Sequence, residues 1–175
     1  NVLALAKRWA EVDKQKLVFR PFAGDVALNC VVKDHDPKSR QKKGQERLKQ
    51  LGIGAIHDAS FMGQPDNGSQ FGYLIMLGPQ DLYKKKTCTH LLDWNSAKIH
   101  RKVRSTLAAE ASGGSRAYDR SMYARAMIHE IEIGKTGKHW TQVCKEVPFC
   151  LGTDCKSLFD LCSKVGSLPD ERRVA

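Results

Sequence analysis

"IGAIHDASF", residues 53 to 61, is the stretch on which the reading of the chain turns. It has the short apolar character of a strand, yet Asp58 stands in its far half, where strand propensity disfavours an acid. An aspartate so placed wants a reason, and the reason has to come from partners elsewhere in the chain.

Working outward, "PDNG" at 65 to 68 makes a turn of the kind that joins antiparallel strands, "QFGYLIML" supplies a second strand and "HLLDWNS" a third. The pattern predicts a three-stranded meander, with "YKKKT" reading as a solvated basic loop between the second and third strands. Next comes a long segment, residues 97 to 133, in which Leu107, Ala108, Ala111, Tyr118, Met122, Ala126 and Ile131 are compatible with one apolar helical stripe. Ser105 and Thr106 are good N-cap types for it. Gly113 and Gly114 each cost a helix about 1 kcal/mol relative to alanine, so the helix bends or breaks there, or another element packs very close; the sequence leaves these open. Residues 134 to 146 read as a polar connection, "VPFCLGTD" as a fourth strand ending in Asp154, and "CKSLFDLCSKV" as a short second helix.

Upstream of residue 53, "NVLALAKRWAEVD" has nearly helical apolar spacing, and "KLVFRPF" and "VALNCVV" are two short strand candidates. "KDHDPKSRQKKGQERLKQLG" then breaks the apolar pattern with dense charge and no evident buried face, which predicts a linker or exposed insertion ending at about Leu51 or Gly52. A division into residues 1–52 and 53–175 follows.

A chain of 175 residues that is 41% hydrophobic can supply a core for one domain of ordinary size. Its longest apolar runs are too short to cross a bilayer and its first residues carry no charged-then-apolar signal pattern, so the expectation is a soluble intracellular protein without a membrane. A formal charge of +10 favours polyanionic partners, nucleic acid first, with a solvated basic surface as the alternative. The six cysteines lack a secretory context and read as reduced thiols; Cys144, Cys150, Cys155 and Cys162 contain no CxxC pair and signal a zinc site only weakly.

Three acids stand out by position: Asp58 within the first strand, Glu110 one turn into the long helix, and Asp154 at the end of the fourth strand. Taken singly each has a structural explanation, as an edge-strand or turn acid, a wet-face helix residue and an N-cap for the helix beginning near Cys155 respectively. In a sheet of three antiparallel strands with a parallel fourth beside the first, however, all three come to one place. Carboxylates converging there repel unless cations hold them, and hard oxygen ligands suit Mg²⁺ or Mn²⁺.

"HDASF", "WNSAKIHRKVRSTLAAEA" and "TDCKSLFDLC" together resemble the ribonuclease H domain at the end of reverse transcriptase in copia-type LTR retrotransposon polyproteins. The matching positions are Asp58, Ala59 and Ser60; Trp94, Ser96 and Lys98; Ser105, Ala109 and Glu110; and Asp154 with Ser157 and Leu158. The resemblance covers about residues 53 to 175 and implies an α/β ribonuclease H-like fold: a mixed sheet of three antiparallel strands plus a parallel fourth, with flanking helices. It implies a metal-dependent endonuclease that cuts the RNA strand of an RNA–DNA hybrid, with Asp58, Glu110 and Asp154 as catalytic ligands of two Mg²⁺ or Mn²⁺ ions. Lys98, Arg101, Lys102 and Arg104, just before the helix N-terminus, and Ser60 of the strand-one motif are the residues expected to bind the substrate. Residues 1–52 would be the end of the reverse transcriptase and its connection, and the rest of the polyprotein a partner. The family also supplies a fourth aspartate from a further helix after an "ERR"-like stretch, while this chain ends at "DERRVA", so the fold is expected to be C-terminally truncated; Asp170 lies too early to be that residue by motif. The alternative is a catalytically inactive remnant of the same fold that is structural or binds nucleic acid.

Overall fold

Strand β1, Leu51–Ser60, is the centre of the molecule because its alternate residues Leu51, Ile53, Ala55 and His57 are all buried on one face. The computed structural model describes residues 37–64, 66–84 and 86–163. Strand β2, Gln70–Pro79, pairs antiparallel with β1 over its whole length, from Leu51 opposite Pro79 to Ser60 opposite Gln70. The connecting turn holds Asn67 in the left-handed region at φ 55°, its N–H donating to the Gln64 carbonyl at 2.9 Å. Strand β3, His90–Lys98, pairs antiparallel with β2 across a bulge at Ile75/Met76. Strand β4, Phe149–Gly152, runs parallel to β1, and the sheet order is β3-β2-β1-β4. The protein is thus α/β with an open, mixed four-stranded sheet, as the pattern of strands and helices predicted.

The long helix is unbroken: α2, Thr106–Ile133, follows α1, Pro37–Leu48, and precedes the short α3, Trp140–Lys145, and α4, Lys156–Ser163. Ser105 caps α2 as its residue type suggested, with Oγ accepting the Ala108 N–H at 3.1 Å. The buried face of α2 is not the predicted stripe. Of the seven residues in that stripe only Ala108 is buried, while Tyr118 and Ile131 lie on the solvent side with Tyr123 and Met127. The face that meets the sheet is the row Ala109, Gly113, Ala117, Ser121, Arg125, His129 and Ile133, spaced four apart. Steric reach explains the choice. The first half of the row has the smallest side chains available, so the helix backbone can approach His57 and Phe71, where a Tyr or Ile would hold it off.

The second half of the row is tied down by polar contacts. Arg125 Nε donates to the Val147 carbonyl at 2.9 Å, His129 Nε2 stands 3.1 Å from Glu146 Oε2, and the Cys144 thiol reaches the Met122 carbonyl at 3.0 Å. Lys138, pairing with Glu146 at 2.5 Å, holds that carboxyl below its usual range, helped by His129 against the opposing effect of burial. These contacts dock α3 onto α2, so residues 134 to 146 contain a packed helix inside what reads as a polar connection.

The predicted linker up to about Leu51 or Gly52 also needs correction. Residues 37–48 form α1, and β1 begins at Leu51 rather than Ile53. The helix buries Gly44 and Leu48 against the end of α2, where a Cβ on Gly44 would collide with the Glu132 carbonyl, and Arg47 pairs with the buried Glu132. A buried face made of one leucine and one glycine leaves almost no hydrophobic trace in a charged sequence. The N-terminal helix and the two strand candidates before residue 33, and Asp170 and Glu171, lie outside the described residues. Among the described residues no helix is long and apolar enough to cross a membrane.

Candidate metal centre

The site is built where β4 runs out. Its last residue, Gly152, pairs with Ile56, so β1 continues from His57 to Ser60 with that edge uncovered. Ile53 turns its N–H toward the β4 side, donating to the Pro148 carbonyl at 2.9 Å, and by strand alternation the Ala59 N–H points the same way. With no strand beside it, the Ala59 N–H donates instead to Glu110 Oε1 at 3.3 Å. The first turns of α2 therefore fill the gap that β4 leaves, and they bring a carboxylate with them.

Glu110 is only 4% exposed, which removes the wet-face reading of this residue. Asp58 is half-buried and Asp154 exposed, and one carboxylate oxygen from each of Asp58, Glu110 and Asp154 lies within 4.8 Å of the others. Asp154 is not the cap of α4: the turn before that helix is closed by Thr153, whose Oγ1 accepts the Cys155 N–H at 3.2 Å. Among the described residues no lysine or arginine pairs with any of the three acids. Glu110 Oε2 is buried without a hydrogen-bond partner among the described residues. Three clustered anionic oxygens lacking a protein cation form a donor set for a metal ion, and an all-carboxylate set suits hard divalent cations better than zinc. The cysteines form no comparable cluster among the described residues; Cys144 is buried as an ordinary thiol, and burial raises its pKa.

One basic group does face the cluster, and no sequence motif marks it. His57, fully enclosed, places Nδ1 3.5 Å from Glu110 Oε2. The available signal was the double glycine: Gly113 and Gly114 lie three and four residues after Glu110, and the imidazole is packed against them.

The residues expected to bind substrate are arranged unevenly. Lys98, at the end of β3, is ion-paired with Asp66, while Arg101, Lys102 and Arg104 lie exposed on the approach to α2. Ser60 ends β1, half-buried. A groove of about 520 Å³ is lined by Lys98 and Arg101 at and after the end of β3, by Ser112, Ser115 and Arg116 of α2, and by Phe71 of β2. Arg116 stands over the Phe71 ring at 5.9 Å and is a basic residue of this groove that the motif reading missed. Its walls carry Lys98, Arg101 and Arg116 against the single acid Asp119. No protein family, curated protein or solved structure matches the chain.

Proposed function

We propose that the chain carries a ribonuclease H-like, metal-dependent endonuclease that cuts the RNA strand of RNA–DNA hybrids as part of a retrotransposon reverse transcriptase. The observation that carries this reading is the convergence of Asp58, Glu110 and Asp154, drawn from the far half of β1, the first turns of α2 and the segment after β4, to within 4.8 Å. The motif order that resembles the copia-type ribonuclease H domain supports it, as does the arrangement of a three-stranded meander with a parallel strand beside β1.

The residues fit the pair of Mg²⁺ or Mn²⁺ ions that the resemblance implies, because the donors are hard oxygens with unneutralised charge. Such cations, when bound, supply Lewis acidity at the scissile phosphodiester and stabilise the attacking and leaving oxygens. The protein's part is positional. Glu110 is held by the Ala59 N–H, Asp58 stands on the rigid central strand, and Asp154 follows β4 on a turn closed by Thr153. Arg101 and Arg116 on the groove walls grip backbone phosphates, and the apolar floor meets sugars.

The test is Asp58→Asn on a hybrid labelled in its RNA strand. Cleavage should disappear while hybrid binding stays near that of the unaltered protein, since phosphate contacts come from basic side chains. Binding without cleavage in the unaltered protein as well would favour the inactive-remnant alternative. Unchanged cleavage by the variant, with contaminating nuclease excluded, would end the assignment.

A further inference from the structure

We propose that His57 is a positioning residue for Glu110: its Nδ1 faces Glu110 Oε2 across 3.5 Å and, closing to a hydrogen bond, fixes the carboxylate for cation binding. The inference rests on the metal-site reading above and names a residue outside the three acids.

Three observations converge on it. The imidazole is completely enclosed, and neither ring nitrogen has a hydrogen-bond partner among the described residues. Among the described residues Glu110 Oε2 is the other buried side-chain polar atom without a partner, and it faces Nδ1 at 3.5 Å, a few tenths of an ångström beyond ordinary hydrogen-bond length. Oε1 of the same carboxylate is already held by the Ala59 N–H. His57 and Ala59, two residues apart on one strand, thus bracket the two oxygens of Glu110. With both oxygens oriented, the carboxylate has one presentation to offer a cation rather than several.

The double glycine in α2 belongs to the same device. A Cβ on Gly114 would lie 3.1 Å from His57 Nε2, and one on Gly113 would lie 3.5 Å from Nδ1. The first is tighter than ordinary contact, so a side chain at Gly114 would press the ring away from the helix by a few tenths of an ångström, while the second is ordinary van der Waals contact. Two consecutive glycines inside a helix are costly, and here they create a seat of imidazole size directly below Glu110. Donors that orient a metal-binding carboxylate typically matter by about 10–100-fold in metal affinity.

The test measures Mn²⁺ affinity of the full chain by electron paramagnetic resonance, with thermal unfolding in EDTA as the fold control. His57→Leu removes the donor while filling the volume, and should weaken Mn²⁺ binding about 10–100-fold without loss of thermal stability. His57→Asn, whose amide N–H can occupy the position of Nδ1, should bind Mn²⁺ close to the unaltered protein. Gly114→Ala touches none of the acids, yet by displacing the ring it should weaken Mn²⁺ binding several-fold. In hybrid cleavage, His57→Leu should raise the Mg²⁺ concentration needed for half-maximal rate by the same factor, with the rate recovered at saturating Mg²⁺. Unaltered affinity in His57→Leu or Gly114→Ala, or equal weakness in His57→Leu and His57→Asn, would overturn the positioning role and leave the metal site standing. Absence of Mn²⁺ binding in the unaltered protein would overturn the metal site itself, and this inference with it.

Discussion

Replacing Asp58 with asparagine should make the metal-free protein more stable while abolishing its response to divalent cations. Two unit negative charges 4.8 Å apart, the outer limit of separation in this cluster, repel by ~3.5 kcal/mol at an effective dielectric of about 20. Asp58 faces two such neighbours, but Asp154 is exposed and water screens it, so keeping about a third of the sum leaves roughly 2 kcal/mol of relief. Asparagine preserves the shape, and among the described residues the Asp58 side chain makes no hydrogen bond that would be lost. For a chain of this size roughly 2 kcal/mol corresponds to about 4–8 °C in Tm. Calorimetry in EDTA should show the variant melting higher by that amount. Excess Mg²⁺ should then raise the Tm of the unaltered protein and leave the variant where it was. A variant that melts lower in EDTA, or that gains as much from Mg²⁺ as the unaltered protein, would refute the idea that these acids form a strained, cation-seeking cluster.

Three further outcomes are expected. Gly44→Ala gains about 1 kcal/mol of helix propensity but drives a methyl into the Glu132 backbone; overpacking against a carbonyl costs about 1–3 kcal/mol, so denaturant unfolding should show net destabilisation and hydrogen exchange should show faster opening of α1. Arg101→Ala with Arg116→Ala should weaken hybrid binding irrespective of base sequence and reduce the slope of log affinity against log salt by about 1.5–2, measured by fluorescence anisotropy. Lys138, with help from His129, holds the folded-state pKa of Glu146 below its unfolded value, so this contact contributes fully above the ordinary carboxylate range and is lost as pH falls through the depressed value. Hydrogen exchange of α3 should accelerate on acidification in that range, and Glu146→Gln should remove that pH dependence.

The elements legible in the sequence are those whose burial leaves a hydrophobic signature. The meander shows because Ile53, Ala55, Phe71, Ile75 and Leu77 alternate with other residues between turn signals, and β4 because "VPFCLG" is an apolar run too short for a helix. The orientation of α2 was not legible, because its buried row is made of alanine, glycine, serine, arginine and histidine with a single isoleucine at its end, while four large apolar or aromatic residues face solvent. Nor was α1, whose contact residues are a glycine and a leucine amid lysines and arginines. At the site the three acids were visible because an acid in a strand or at a strand end breaks the local pattern. His57 was not, because a histidine inside an apolar strand breaks nothing, and its relation to Gly114 exists only once β1 and α2 are packed together.

Helix α2 is fastened more firmly at one end. Arg125, His129 and Glu132 lock its distal half to residue Val147, to α3 and to α1, whereas its proximal half meets the sheet mainly through alanine and glycine, with the Ala59 N–H holding Glu110 and Arg120 pairing with Asp93 near the middle. Mechanically this is a beam clamped at its distal end, with a carboxylate near its lightly held tip. Glu110 stands about 28 Å along the helix axis from His129 at 1.5 Å per residue, so a tilt of about 2° at the anchorage sweeps the tip through about 1 Å. Displacements of that size are enough to spoil a reaction geometry by about 100-fold. Substitutions around His129 and Glu146, far from any acid of the cluster, therefore act on it through leverage, and their effect should grow with the angle they impose rather than with their distance from it.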